Sequence, residues 1–159
     1  MSIPRKVLAA SALAAMLAGL PTMGLAAVDP YPNGCVSCHV VDKETGKDHR
    51  LSTQLKEWTA GKVEPGLLAK SKATAPAGVT LKGKHPAAED SLEDIPAACL
   101  DCHDAGSKKA PPFARLLHLA HLTGGPKNVY VTTFKGDCSN CHKLNVQTGE
   151  WTLPSGPEK

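Results

Sequence analysis

Cys99-Leu100-Asp101-Cys102-His103 is the stretch on which the reading of this chain turns. Two cysteines three positions apart, with histidine directly after the second, form the attachment pattern of a c-type haem. In that pattern each thiol bonds a vinyl group of the porphyrin, and the adjacent imidazole binds the iron from one side. The pattern occurs twice more, at Cys35-Val36-Ser37-Cys38-His39 and at Cys138-Ser139-Asn140-Cys141-His142. Together the three copies use all six cysteines of the chain. Chance does not readily produce that economy.

Six cysteines in such a chain have two other common uses. Three disulfides suit a secreted chain, but they give no reason for a histidine after every second cysteine. Zinc takes two Cys-x-x-Cys pairs into one tetrahedral site. Three pairs leave one without a partner, and the histidines again go unexplained. The sequence therefore predicts three covalent c-type haems, attached through Cys35, Cys38, Cys99, Cys102, Cys138 and Cys141, with His39, His103 and His142 as the first ligand of each iron.

The remaining composition fits that expectation. The chain has 159 residues, room for one domain at most. Arg5 and Lys6 precede an apolar run from Val7 to Leu20, and small residues follow around Gly24-Leu25-Ala26-Ala27. Residues 1–26 read as a secretory signal peptide, and residues 27–159 as one trihaem domain. The apolar run is short for a transmembrane helix, so a membrane enters only through partners. The formal charge of the whole chain is +3. Losing Arg5 and Lys6 with the leader brings it to about +1, and six ionised propionates would make the loaded protein acidic by roughly five charges. No basic run supports nucleic-acid binding. With only two Trp, two Tyr and two Phe, the polypeptide is poorly equipped to build a core alone. The expected fold is mostly irregular with a few short α-helices, wrapped around three haems.

Local signals place the elements. Leu51, Leu55 and Trp58 have helical spacing, and Gly61 stops that helix. Lys62 to Lys84 carries five lysines, two prolines and several glycines, and is expected to be loop or extended chain, a linker or a docking surface. Ser91-Leu92-Glu93-Asp94 is expected to form a short helical turn. Phe113 to Leu122 is the strongest helix, ended by Thr123-Gly124-Gly125-Pro126. Val129 to Phe134 has strand composition. The tail from about Pro154 is expected to be loose. An internal repeat joins the outer motifs. Val40-Val41-Asp42 with Thr45-Gly46 after the first matches Lys143-Leu144-Asn145 with Thr148-Gly149 after the third, a tight-turn pattern the central motif lacks.

The sixth iron ligand decides what such haems do. An iron that only carries electrons needs both axial positions filled, whereas one that binds substrate keeps a position open. Four histidines lie outside the motifs: His49, His85, His118 and His121. The methionines are Met1, Met16 and Met23, all in the expected leader, so His/Met ligation is excluded after processing. His85 precedes the central motif on a flexible segment and is the expected ligand there. His118 and His121 share one helix face. They cannot easily serve one iron, so one helix is expected to supply two haems. His49 is the fourth candidate, with a solvated helix-start residue as its alternative.

With its three Cys-x-x-Cys-His motifs, His118-x-x-His121 upstream of one and His85 upstream of another, the chain resembles multihaem c-type cytochromes of the class III (cytochrome c3/c7-like) and decahaem group. The resemblance is sparse over residues 35–145, and the spacer between Cys38 and Cys99 is longer than in small trihaem proteins of that group. It implies closely packed haems, little regular structure, and electron transfer in the periplasm or at the cell surface.

The leading expectation is thus a non-enzymatic electron carrier, periplasmic or extracellular, exchanging electrons with partner proteins or an extracellular acceptor. Two rival expectations are a protomer of a self-assembling filament and a small reductase with one open iron. Bis-histidine ligation without methionine lowers haem potentials. The ferric protein is therefore expected to give wholly low-spin bis-histidine optical spectra and to reduce only at low potential; a high-spin or methionine-ligated spectrum contradicts this.

Overall fold

The computed structural model describes residues 28–159; the expected signal peptide at 1–26 lies outside them. Most of the described chain is irregular, threaded through six short helices. These are α1 (Cys35–Cys38), α2 (Leu51–Thr59), α3 (Pro65–Thr74), α4 (Leu100–His103), α5 (Phe113–Leu122) and α6 (Val129–Thr133). Two strands, β1 (Lys143–Asn145) and β2 (Glu150–Thr152), close an antiparallel hairpin in which Leu144 faces Trp151. None of the described helices is long and apolar enough to cross a membrane.

Apolar burial is thin. Apart from Pro96 and Pro111, the buried apolar side chains among the described residues are Val36, Leu55 and Ile95. Leu144, Val146 and Trp151 stay exposed. At about 1.5–3 kcal/mol for each fully buried aliphatic side chain, three such residues fall far short of the conformational entropy of ordering so long a chain. Main-chain hydrogen bonds and side-chain caps therefore define much of the observed shape.

The helices at Leu51–Thr59 and Phe113–Leu122 lie where apolar spacing places them. The helix α3 falls in the segment expected to be loop. Pro65 opens it rather than breaking it, because the first helical position needs no N–H partner. Glu64 caps it, its carboxylate accepting from the N–H groups of Gly66 at 2.9 Å and Leu67 at 2.8 Å. The helix then packs on α5, and Lys70 Nζ donates to the end carbonyls Ala120 O and Thr123 O. A cation at a helix C-terminus is well placed electrostatically. The stretch 91–94 takes part in a 3₁₀ turn at Glu89–Glu93.

The strand expected at Val129–Phe134 is instead the helix α6. Its β-branched residues lose to a cap. Asn128 Oδ1 accepts from Tyr130 N at 2.9 Å, while Asn128 Nδ2 donates to Ala120 O and Thr123 O. One side chain thus starts α6 and ties it to the end of α5, and tertiary context overrides local propensity. The repeat does fold alike. Asp42 Oδ1 accepts from Glu44 N and Thr45 N, and Gly46 N donates to Asp42 O. Asn145 Oδ1 accepts from Gln147 N and Thr148 N, and Gly149 N donates to Asn145 O. Gly46 and Gly149 hold φ of 70° and 74°, which glycine adopts without strain.

The tail expected to be loose is stitched down. Ile95 and Gly156 exchange two backbone hydrogen bonds of 2.8 and 3.0 Å, and Glu158 N donates to Leu92 O. Ser155 Oγ donates to Asp94 and accepts from Ala97 N. The Glu158 carboxylate accepts from Ser52 N at the start of α2. Deleting residues 154–159 removes all of these hydrogen bonds, each worth roughly 0.5–1.5 kcal/mol net and partly offset by the entropy the tail no longer loses, and is expected to lower the thermal midpoint; an unchanged midpoint contradicts this attachment.

Candidate functional site

Each of the three motifs is drawn into a single turn, so that its histidine follows its cysteines in a fixed relation. His39 N donates to Cys35 O at 2.9 Å and His142 N to Cys138 O at 2.8 Å, while His103 ends α4. Gly34, at φ 55°, brings the first motif close to Cys141 O and Pro154. All six cysteines are free. Burial, and then the nearby Cys141, push the Cys35 thiol up to about 11, and Cys99 contributes a smaller repulsion. Thiols of all three motifs thus lie within electrostatic reach of Cys35.

Each motif histidine faces one non-motif imidazole. His103 and His85 lie 5.9 Å apart between ring centroids, with planes 11° from parallel. His39 and His121 lie 6.3 Å apart with planes at 88°. His142 and His118 lie 6.2 Å apart with planes at 37°. A bond of about 2 Å from metal to imidazole nitrogen, with about 1.2 Å from that nitrogen to the ring centre, puts two imidazoles on opposite sides of one iron about 6 Å apart. All three separations match this spacing.

The ring tautomers agree. Nδ1 of His39 lies 2.9 Å from His49 O, that of His85 2.6 Å from Pro86 O, that of His103 2.7 Å from Pro111 O and that of His121 3.0 Å from Leu117 O. A carbonyl only accepts, so each Nδ1 carries the proton and Nε2 presents its lone pair. Metal-binding histidines are commonly oriented in this way.

The elements that deliver the partner rings follow from the fold. α5 carries His118 to the third motif and His121 to the first, as expected for two histidines on one helix face. His85 arrives on a loop whose main chain is fastened to the end of α2, with His85 N donating to Trp58 O at 3.1 Å. The scarce aromatic side chains gather around the same rings. Trp58 lies 6.3 Å from His85, Phe113 6.0 Å from His103, and Tyr130 5.3 Å from His121. Tyr130 stacks in turn on Phe134, which meets Tyr31 edge-on.

His49, the fourth candidate, is not among the facing pairs. Its part is played by its backbone. His49 O accepts from both His39 Nδ1 and Gln54 Nε2, each at 2.9 Å. Sequence reasoning passed over Gln54, which reaches back from the first turns of α2 to the same carbonyl. It passed over the carbonyls of Pro86 and Pro111 as well, because a backbone acceptor leaves no residue-type signal.

The donor count discriminates between a bare metal ion and a haem. Among the described residues no group of three or more His, Cys, Asp or Glu side chains converges on one point. A zinc site needs three or four such donors. A haem iron takes four nitrogens from its porphyrin and two from the protein, and two imidazoles is the number each pair offers. The donor set therefore fits a c-type haem at each motif: two thiols, the motif imidazole and the facing imidazole.

No protein-family model, no curated protein and no solved structure matches the chain.

The pairings predict that His85→Ala disturbs a single site. One third of the low-spin absorbance is expected to change, with the two sites served by α5 retained; equal changes at all three contradict the assignment.

Proposed function

We propose that this chain is a periplasmic or extracellular trihaem c-type cytochrome that carries electrons and does not transform a substrate. The observation that carries the reading is the triple pairing of a Cys-x-x-Cys-His histidine with a second imidazole about 6 Å away. Bound haem would supply the one-electron ferric–ferrous couple. The chain's own residues do the rest. Cys35 and Cys38, Cys99 and Cys102, and Cys138 and Cys141 would hold the three porphyrins through thioethers. His39 with His121, His103 with His85, and His142 with His118 would ligate the three irons.

Filling both positions is what separates a carrier from a reductase. Every motif histidine has a facing ring within the same chain, so no iron would be left open for a substrate. Nor does any pair require a histidine from a second copy, which favours a self-sufficient protomer over a filament joined by shared ligands. The thin apolar core supports the same reading, since three porphyrins would give Trp58, Phe113, Tyr130 and Phe134 large flat surfaces to pack on. With its leader removed and six propionates added, the loaded protein would be acidic, suiting a partner with a basic docking face.

The test is haem stoichiometry and ligand access on the secreted protein. Three covalently bound haems per chain, no carbon monoxide adduct without prior denaturation, and a monomeric elution volume are expected. A carbon monoxide-binding iron in the native protein favours the reductase, a polymeric elution the filament, and fewer than three haems overturns the proposal.

A further inference from the structure

The three histidine pairs are chemically unequal, and the inequality bears on the order in which electrons would occupy them. We propose, resting on the haem reading above, that the haem held by His85 and His103 has a lower reduction potential than the haem held by His39 and His121.

Two features of the pairs act in the same direction. The first is the pull on each ring's Nδ1 proton. A hydrogen bond from Nδ1 to a carbonyl gives the ring partial imidazolate character and raises the basicity of Nε2. A more basic ligand stabilises ferric over ferrous iron and lowers the potential. The central pair has the two shortest of these bonds, 2.6 Å from His85 to Pro86 O and 2.7 Å from His103 to Pro111 O. In the His39–His121 pair they are 2.9 Å and 3.0 Å. The carbonyl that serves His39 is also divided, because Gln54 Nε2 donates to His49 O at 2.9 Å. An acceptor shared between two donors draws less strongly on each.

The second feature is the angle between ring planes. Near-parallel imidazoles act together on one of the two iron dπ orbitals and separate the pair in energy. The ferric ion's single vacancy then resides in the higher orbital, which favours the oxidised state. Crossed imidazoles act on both orbitals alike and leave them nearly level, so this preference is lost. The planes of His85 and His103 are 11° apart, and those of His39 and His121 are 88° apart. Stronger donation and parallel rings therefore both favour ferric iron at the central site.

The same angles label the two haems spectroscopically. Near-parallel planes give a rhombic low-spin paramagnetic resonance signal, whereas crossed planes give a highly anisotropic one dominated by a single low-field feature. The experiment is a stepwise reductive titration of the full, haem-loaded protein followed by low-temperature paramagnetic resonance. The anisotropic signal is expected to disappear first and the rhombic signal to persist to lower potential. His85→Met and His121→Met check the labels, each being expected to alter only its own signal. If either variant fails to load its haems, the titration of the unaltered protein still decides the order. Loss of the rhombic signal before or together with the anisotropic one overturns the inference while leaving the haem reading intact, as does a set of indistinguishable signals. Absence of any low-spin ferric haem signal overturns the haem reading, and this inference with it.

Discussion

The rest of the structure depends on the spacing between facing imidazoles. Three times, a histidine directly after a Cys-x-x-Cys turn is met by a second ring with centroids 5.9–6.3 Å apart. These separations are close enough for one metal ion to reach both rings of a pair. Carbonyl acceptors keep Nδ1 protonated on four of the six rings, and so leave Nε2 with its lone pair available. The same spacing recurs where Trp58 meets His85 and Phe113 meets His103, so the imidazole pairs belong to one continuous set of packed rings.

The economy of the fold follows from that constraint. α5 is an amphipathic helix whose two histidines leave on one face toward two different motifs. α3 and α6 fix its end, through Lys70 and Asn128, onto the carbonyls of Ala120 and Thr123. α2 fastens the His85 loop at its C-terminal end. From its N-terminal half, Gln54 reaches the carbonyl that orients His39. The C-terminal tail bridges α2 to the segment entering the central motif, through Glu158 and Gly156. These elements bury little apolar surface against one another. Their common outcome is to set six rings at three fixed separations.

The central pair stands apart from the outer two. The outer motifs share the Asx–Thr–Gly turn after their histidines and draw partners from one helix. The central motif has neither. It sits between a 3₁₀ turn at Ala97–Cys99 and the buried Pro111, and it takes its partner from a loop. Its rings are nearly parallel and its carbonyl contacts short, whereas the partners carried by α5 meet their motif rings at 88° and 37°.

Much of this was legible along the chain. Cys-x-x-Cys-His is a local pattern, complete within five residues, so its three copies are visible without tertiary information. Helical periodicity marked Leu51–Thr59 and Phe113–Leu122, and the matched turns at Asp42 and Asn145 were visible as a repeat. Elsewhere the sequence misled where a local preference met a stronger distant partner. The β-branched run at Val129 became helix because Asn128 caps it against the end of α5. The polar tail was ordered by Ile95, Leu92 and Ser52. Pro65 and Gly66 looked like breakers until Glu64 capped them. By itself the sequence determined which residues carry the haem-attachment pattern and which four histidines lie outside it, because residue chemistry is local. Only the tertiary structure decided that His49 offers its carbonyl to His39 while the rings of His85, His118 and His121 face the motif histidines, and at what angles those rings meet. Distance and orientation between residues far apart in sequence arise only when the chain is folded.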